Sequence, residues 1–211
     1  MTHVLVMAKS PVPGRVKTRL CPPCTPVEAA ALAEAALADS LDAVAACGAE
    51  RRIVALDGAP GPWLPPGFEV IPQADGSFDR RLAAAWAVAG GPGVQIGMDT
   101  PQVTASLLDE ALGALDITSA ALGLAEDGGW WAIGLRRADA RVFHDIPMST
   151  GGTGKAQLAR LISLGLDVTA LATLVDLDTI TDLSAVTDGG SAIRTSALAR
   201  TLGVLPLAAH A

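Results

Sequence analysis

Short apolar runs alternate along the chain with longer stretches in which apolar residues are mixed with charged ones. The short runs are bounded by Gly, Pro or Asp and have the length of strands. We interpret as strands His3–Ala8, Arg52–Leu56, Glu69–Ile71, Val94–Met98, Ala120–Leu124, Trp131–Leu135 and Val168–Leu174. The longer stretches predict helices at Val27–Ala46, Phe78–Ala89, Leu107–Leu115, Thr153–Leu164 and Ile180–Val186. This alternation is typical of an α/β fold, so we expect three layers in which helices cover both faces of a mostly parallel sheet.

The 211 residues fit one α/β domain, and the pattern contains neither an internal repeat nor an interdomain linker. We therefore expect a single domain over residues 1–211, with residues 203–211 as a loose tail. Sheets of this kind bind ligands beyond the carboxyl ends of their strands. Loops that directly follow a predicted strand are accordingly the first candidates for a site.

Composition narrows the classes of function. The formal net charge of -7 disfavours binding to nucleic acid, which rewards broad basic surfaces. No apolar run approaches the ~20 residues that span a bilayer, and the chain enters its first strand without a leader pattern. The three cysteines are an odd number, which disfavours a disulfide framework. We expect a cytoplasmic protein without a nucleic-acid or membrane partner.

A basic loop follows the first predicted strand. Four of the fifteen basic residues, Lys9, Arg15, Lys17 and Arg19, fall within eleven positions. Gly14 allows close approach of the backbone to a ligand, and this combination, with Ala8 at the strand end, predicts a phosphate site. The alternative is a solvated charged loop. The glycine fingerprint G-x-G-x-x-G is missing after this strand, which disfavours a nicotinamide-dependent oxidoreductase.

Asp99 follows the apolar run Val94–Met98 and is followed by Thr100-Pro101. A carboxylate held rigidly at the end of a buried strand is a hard oxygen ligand of the kind that suits Mg²⁺ or Mn²⁺. The alternative is a helix N-cap or turn residue, which is common at such junctions. Asp99 is thus a candidate metal ligand.

The segment Glu126–Trp131 (EDGGWW) places carboxylates in a tight turn beside two aromatic residues. Asp127 could bind a hydroxyl or act as a general base, while Trp130 and Trp131 could form a wall for a substrate. The alternative is a simple β-turn, for which Asp-Gly is a strong signal. That alternative does not account for the paired tryptophans.

The segment Asp176–Thr179 with Asp182 has the spacing of a helix start that Thr179 caps. Asp178 then remains available as a second metal ligand.

Two further patterns are less specific. The glycine-rich segment Gly151–Lys155 lacks the residues of a P-loop at both ends, although it could begin a phosphate-binding helix. Cys21 and Cys24 have zinc-like spacing without a second ligand pair.

These motifs together resemble a family of small bacterial GT-A-like transferases, described as arsenosugar-biosynthesis or selenodomain-associated glycosyltransferases. The most specific part is AKSPVPGRVKTRL within Val4–Leu20. The other matching segments are Phe78–Trp86, Ile96–Pro101, Ala125–Leu135, Ile146–Thr150 and Asp176–Leu183. The resemblance covers most of residues 3–183 in the family's order. It implies the nucleotide-diphosphosugar-transferase (GT-A) fold.

The resemblance also implies roles for individual residues. Lys17 matches a lysine that faces nucleotide phosphates, Asp99 matches a metal-binding aspartate, and Asp178 falls where relatives carry a second metal ligand. Ser149 and Thr150 lie in a matching segment and are expected to bind substrate. The chain departs from the family pattern at Met98–Thr100, at Met148 and at Gly151–Gly154, and these departures affect the expected acceptor pocket more than the nucleotide site.

We therefore expect a glycosyltransferase-like enzyme that uses a nucleotide-activated sugar, a small-molecule acceptor and Mg²⁺ or Mn²⁺, with Asp127 and Lys17 as catalytic residues. One alternative is a nucleotidyltransferase that joins a nucleoside triphosphate to a small phosphorylated acceptor. Another is a non-catalytic relative that binds a nucleotide or a phosphosugar.

Overall fold

A seven-stranded sheet organises the chain in the computed structural model, which describes residues 1–205. The strands are β1 (His3–Lys9), β2 (Arg51–Asp57), β3 (Glu69–Pro72), β4 (Gly93–Ile96), β5 (Ala120–Leu124), β6 (Trp130–Leu135) and β7 (Val168–Ala170). The α-helices are α1 (Pro26–Ala46), α2 (Phe78–Ala89), α3 (Ala105–Ile117), α4 (Thr153–Ser163), α5 (Asp182–Asp188) and α6 (Ile193–Thr201). Short 3₁₀ helices occupy Thr18–Leu20 and Ala140–Val142.

The strand order is β3-β2-β1-β4-β6-β5-β7, and β6 is antiparallel to both of its neighbours. The other strand pairs are parallel, with β1 paired to β2 from His3–Arg51 through to Lys9–Asp57. The prediction of a mostly parallel sheet is confirmed. Because β6 alone runs backwards, the carboxyl ends of the other six strands meet at one edge.

Two apolar layers cover the sheet. Leu37 and Leu41 of α1 and Leu108 of α3 pack on one face, and Leu82 and Trp86 of α2 pack on the other, together with residues of α4. A third apolar cluster joins α1 to α5 and α6. The three-layer architecture predicted from the sequence is therefore confirmed, and the sheet edge stays open between the layers.

The ends of two strands differ from the prediction. β4 ends at Ile96 rather than Met98, because the Lys9 backbone N–H donates to the Met98 sulfur (3.2 Å) instead of to a strand carbonyl. The carbonyl of Asp99 accepts from Leu177 N (2.7 Å). β7 ends at Ala170, and only a single bridge between Ala125 and Leu174 continues the pairing.

The predicted capping role of Thr179 is wrong. The side chain of Asp182 instead accepts hydrogen bonds from the backbone N–H of Asp178 (3.0 Å) and of Thr179 (2.6 Å). The Thr179 hydroxyl also donates to Asp182. The helix therefore begins at Asp182, whose carboxylate fixes the preceding loop.

The predicted tail at 203–211 is only partly within the described residues. Val204 N and Leu205 N donate to the carbonyl of Ala199, and Leu205 is buried in the cluster of α1, α5 and α6. The expectation of a loose tail is thus wrong for residues 203–205, and residues 206–211 lie outside the described part. Across residues 1–205, no helix is both long and apolar enough to cross a membrane.

Candidate functional site

A cavity of about 780 Å³ opens at the carboxyl edge of the sheet. It is lined by most of the residues that the sequence singled out, namely Ala8, Lys9, Arg15, Lys17, Asp99, Asp127, Trp130, Trp131, Ser149, Thr150 and Asp178. Gly14 does not line the cavity and has a φ of 76° in an exposed turn. The sheet topology brings together motifs that are up to 170 residues apart in the chain, because the loops after β1 and β4 and the segment after β7 meet at this edge, where β6 begins.

Lys17 lies at the centre of the acidic part of this cavity. Its Nζ is 2.5 Å from Asp99 Oδ1 and 3.1 Å from Asp178 Oδ1, and its side chain is only 7% exposed. Burial lowers the pKa of the Lys17 ammonium, but the two carboxylates outweigh burial and hold the pKa above its ordinary value. Lys17 is therefore charged. Its backbone has the left-handed conformation (φ 47°), so the chain turns sharply at this residue.

The rest of the basic loop does not converge on one point. Lys9 Nζ pairs with Asp57 Oδ2 at the end of β2 (3.6 Å), Arg15 is exposed, and Arg19 reaches Asp178 Oδ2 at 3.4 Å from a largely exposed position. The predicted phosphate site thus has one buried cation, Lys17, and several exposed ones around it.

Asp176 is a site residue that the sequence reasoning missed. It lines the cavity, and burial raises its pKa to about 7, with the nearby Asp99 and Asp127 carboxylates acting in the same direction. The signal was present in the sequence, because Asp176 is two residues before Asp178 in the same motif. From the sequence, only Asp178 of this motif is predicted to belong to the site.

Asp127 lies in the predicted tight turn, where its Oδ1 accepts a hydrogen bond from Gly129 N (2.7 Å). Trp130 and Trp131 are adjacent in β6 and lie on opposite faces of the sheet. The pairing of β5 with β6 skips Trp131, which places Trp131 on the same face as Ala132. Trp131 is 2% exposed and its Nε1 donates to Ala172 O (2.8 Å). Trp130 is half-buried on the face covered by α2 and α4, so the two rings do not form one wall.

Ser149 and Thr150 lie at the rim of the cavity, in the segment that leads into α4. Ser149 has a φ of 58°, and the backbone N–H of Thr150 donates to the Thr153 hydroxyl (3.1 Å). Gly154 N donates to Gly128 O (2.8 Å), which ties the start of α4 to the turn that carries Asp127. The two predicted substrate-binding segments are therefore physically joined.

Another part of the cavity holds a polar arrangement that no sequence pattern predicts. Gln73 Nε2 donates to the carbonyls of Ala8 (2.8 Å) and Ala55 (2.9 Å) at the ends of two strands. Its Oε1 accepts from Arg81 Nη1 (2.9 Å). The guanidinium lies over the ring of Phe78 at 5.1 Å. Gln73 follows β3 and Arg81 lies in α2. Both residues place polar groups in the cavity, although neither belongs to a recognisable sequence motif.

Asp99 and Asp178 are the two carboxylates of the cavity that were predicted to bind a divalent cation. Within residues 1–205 no group of three or more His, Cys, Asp or Glu side chains is arranged to enclose a metal ion. Asp99 and Asp178 are each about 40% exposed and share one cationic group, the Lys17 ammonium. Mg²⁺ is commonly bound by one or two carboxylates together with substrate phosphates. The two carboxylates fit that mode of binding.

The chain belongs to a family described as "uncharacterized protein conserved in bacteria" (DUF2064), whose model matches residues 30–150. No curated protein matches the chain. The family assignment agrees with the fold but does not name a reaction.

Some of the solved structures with the same fold are transferases by name. A protein from Desulfovibrio desulfuricans, provisionally named a nucleotide-diphospho-sugar transferase, is 25% identical, with a TM-score of 0.79 over 95% of this chain and 97% of that one. A manganese complex of Rv0371c from Mycobacterium tuberculosis is 22% identical, with a TM-score of 0.53 over 89% and 97% of the two chains. A Methanothermobacter nucleotidyl transferase is 17% identical, with a TM-score of 0.57 over 95% and 99%. The fold is that of the nucleotide-diphospho-sugar transferases.

Proposed function

We propose that this protein is a metal-dependent transferase that uses a nucleotide-activated sugar as its donor. The observation that carries the proposal is the buried Lys17 ammonium between Asp99 and Asp178, at the carboxyl edge of a sheet with this fold. A buried cation with two partly exposed carboxylates offers both kinds of group that a diphosphate and its counter-ion need.

The relatives support this proposal at different levels. The Desulfovibrio protein is named as a nucleotide-diphospho-sugar transferase, and Rv0371c was solved with manganese. The finer assignment to the arsenosugar-biosynthesis or selenodomain-associated glycosyltransferases rests on the sequence motifs and is part of the proposal.

Each residue has a defined task in the proposed reaction. Lys17, with Lys9 and Arg15 nearby, contacts the phosphates of the donor, and Asp99 and Asp178 are the residues that would hold Mg²⁺ or Mn²⁺. When bound there, the cation would neutralise charge on the leaving diphosphate. Preorganised charge of this kind is often the largest contribution to such catalysis.

The acceptor is assigned to the other wall of the cavity. Asp127 takes the proton of the acceptor hydroxyl, Trp130 packs against the acceptor, and Ser149 and Thr150 hydrogen-bond to it. The exposed carboxylate of Asp127 at the cavity lining is consistent with contact to an incoming hydroxyl.

Nucleotidyl transfer is the second candidate, and one observation favours it. Asp127 Oδ1 already accepts the hydrogen bond from Gly129 N that shapes its own turn, so the carboxylate has a structural role that needs no reaction. An already ionised phosphate acceptor requires no base. The name of the Methanothermobacter neighbour points the same way.

A thermal-shift panel tests the proposed function. Nucleoside triphosphates, nucleoside diphosphates and nucleotide sugars would each be added with and without Mn²⁺, and bound ligand raises the unfolding midpoint by linkage. We expect a Mn²⁺-dependent rise with at least one nucleotide sugar. A rise with triphosphates alone would favour nucleotidyl transfer, and no rise with any nucleotide would contradict the proposal.

A further inference from the structure

Gln95 is a buried polar residue in the middle of an apolar layer. It lies on β4 between Leu5 of β1 and Ile133 of β6, both of which are fully buried. Gln95 itself is 1% exposed, and its Oε1 has no hydrogen-bond partner among the described residues. A buried amide oxygen without a donor destabilises the folded protein relative to an apolar side chain of the same size.

The same side chain lines the cavity at the carboxyl edge. Its neighbours in the lining on this face of the sheet include Met7 of β1 and Phe78 of α2, with Met148 and Trp130 packed against the same apolar layer. Gln95 is therefore a polar group at the floor of an otherwise mostly apolar recess between α2 and the segment before α4.

A second unpartnered polar atom lies on the same face. Arg81 also lines the cavity, and its Nε is buried without a partner in the described part of the chain, although Nη1 is held by Gln73. An unpaired acceptor, Gln95 Oε1, and an unpaired donor, Arg81 Nε, thus belong to side chains that line the same cavity. A ligand hydroxyl can donate to the first kind of group and accept from the second.

We propose that Gln95 is a specificity-determining residue that binds the hydroxylated sugar part of the nucleotide-sugar donor, with Arg81 lining the same cavity. This inference rests on the proposed function, because it presumes a nucleotide sugar. The aromatic ring of Phe78, which also lines the cavity, suits the carbon face of a sugar ring. The phosphates are left to Lys17, on the acidic side of the cavity.

Burial makes the assignment selective. A site whose buried polar groups are paired only by the correct ligand rejects analogues that lack the matching hydroxyl far more strongly than an apolar pocket does. Gln95 should therefore affect the affinity for the sugar and leave the affinity for the nucleotide diphosphate unchanged.

The test compares Gln95→Met with Gln157→Met. Gln157 of α4 is also fully buried, and its Oε1, like that of Gln95, has no partner among the described residues. It differs in that its Nε2 donates to Val142 O (2.9 Å) and that it does not line the cavity. Unfolding midpoints would be measured for both variants and the wild type. Calorimetry with Mn²⁺ would then compare UDP-glucose, UDP-N-acetylglucosamine, GDP-mannose and dTDP-glucose with UDP, GDP and dTDP.

We expect Gln95→Met to weaken binding of the preferred nucleotide sugar at least tenfold, with the affinity for its diphosphate within twofold of wild type. The ligand-free midpoint of this variant should equal or exceed that of wild type. Gln157→Met should lower the midpoint and leave both affinities unchanged. Equal losses for sugar and diphosphate, or no loss at all, would overturn the assignment of Gln95. Failure of all four nucleotide sugars to bind the wild type would instead overturn the proposed function together with this inference.

Discussion

Lys17 shows how far a single residue could be predicted. A basic residue in a loop after the first strand predicts contact with an anion, and Lys17 is indeed at the strand edge. Its burial and its pairing with Asp99 and Asp178 depend on a segment 161 residues further along the chain. No local pattern reports such a contact, because it arises only when the strands are ordered in the sheet.

Replacing Lys17 by alanine should weaken nucleotide binding more than replacing Arg19. Lys17 is buried between two carboxylates, whereas Arg19 is 75% exposed and 3.4 Å from Asp178. Loss of a buried charge-assisted contact costs roughly 1.5–3 kcal/mol, while an exposed pair contributes about 1 kcal/mol or less. Calorimetric affinities for the same nucleotide, with unfolding midpoints as a check on folding, give the comparison. Equal and small losses would identify the loop as a solvated basic surface.

Asp127→Asn distinguishes the two proposed reactions. The asparagine retains an oxygen that can accept from Gly129 N, so the turn should persist while the base is lost. For glycosyl transfer we expect turnover to fall by about 10²-fold or more with donor affinity preserved. Steady-state kinetics with an identified acceptor, together with donor calorimetry, provide the readout. Near-normal turnover would remove Asp127 as the base and favour nucleotidyl transfer.

His3 should make the protein less stable in mild acid. It is fully buried against Trp86, and burial, helped by the nearby Arg51, lowers its pKa from 6.5 to about 4, although Glu69 and the carbonyl of Pro92 oppose this. Below pH 6.5 the unfolded chain takes up a proton that the folded protein does not. The contribution of His3 to the free energy of unfolding therefore falls between pH 6.5 and about 4, by about 3 kcal/mol in total.

The contribution of His3 to the free energy of unfolding is measured as the difference between wild type and a His3 variant. Asp176, whose pKa is raised from 3.8 to about 7, acts with the opposite sign over the whole of this range. Denaturant unfolding of wild type and His3→Gln from pH 7 to pH 4.5 separates the two, since only the histidine differs. A gap between the two proteins that stays constant with pH would contradict the assigned cause.

At the scale of elements, most helices and strands could be predicted, and their ends could not. Phe78–Ala89 and Ala120–Leu124 have the predicted bounds because glycine, serine or a turn signal stands at their ends. β4 ends early because Met98 replaces a strand carbonyl as the acceptor. The bulge at Trp131 depends on the pairing partner, so the alternation of apolar residues in β6 did not reveal it.

The contact between the turn that carries Asp127 and the start of α4 leaves no room for an added methyl group at Gly154, so protein stability should be sensitive to one. A Cβ at Gly154 would lie 2.5 Å from Gly129 O and 2.8 Å from Leu124 Cδ2, so Gly154→Ala should destabilise the protein by about 1–3 kcal/mol. The same substitution at Gly113, inside α3 with no atom within 4 Å, should stabilise it by about 0.5–1 kcal/mol. Chemical denaturation measures both. Equal effects at the two positions would show that the joint can relax.

At the scale of the whole molecule, the sheet topology explains why one cavity holds most of the predicted site. β1, β4 and β7 run in the same direction, so the loops after β1 and β4 and the segment after β7 meet at one edge, where the antiparallel β6 begins. The sequence predicted this edge from the α/β pattern alone. Gln73, Arg81 and Gln95 were missed because they reach the cavity from a strand end, a helix and a strand interior without a distinguishing pattern.

The central claim is that the carboxylate pair beside Lys17 supports metal-dependent binding of a nucleotide. The most direct measurement is calorimetric titration of the best nucleotide ligand into wild type and Asp99→Asn, each with and without Mn²⁺. Asp99→Asn removes one of the two carboxylates that pair with the buried Lys17 ammonium, so the unfolding midpoint should fall, and it is measured first to establish that the variant is folded at the temperature of the titration. The account predicts that Mn²⁺ raises the affinity of wild type at least tenfold and that Asp99→Asn abolishes this gain. An equal gain from Mn²⁺ in both proteins, with folding intact, would contradict it.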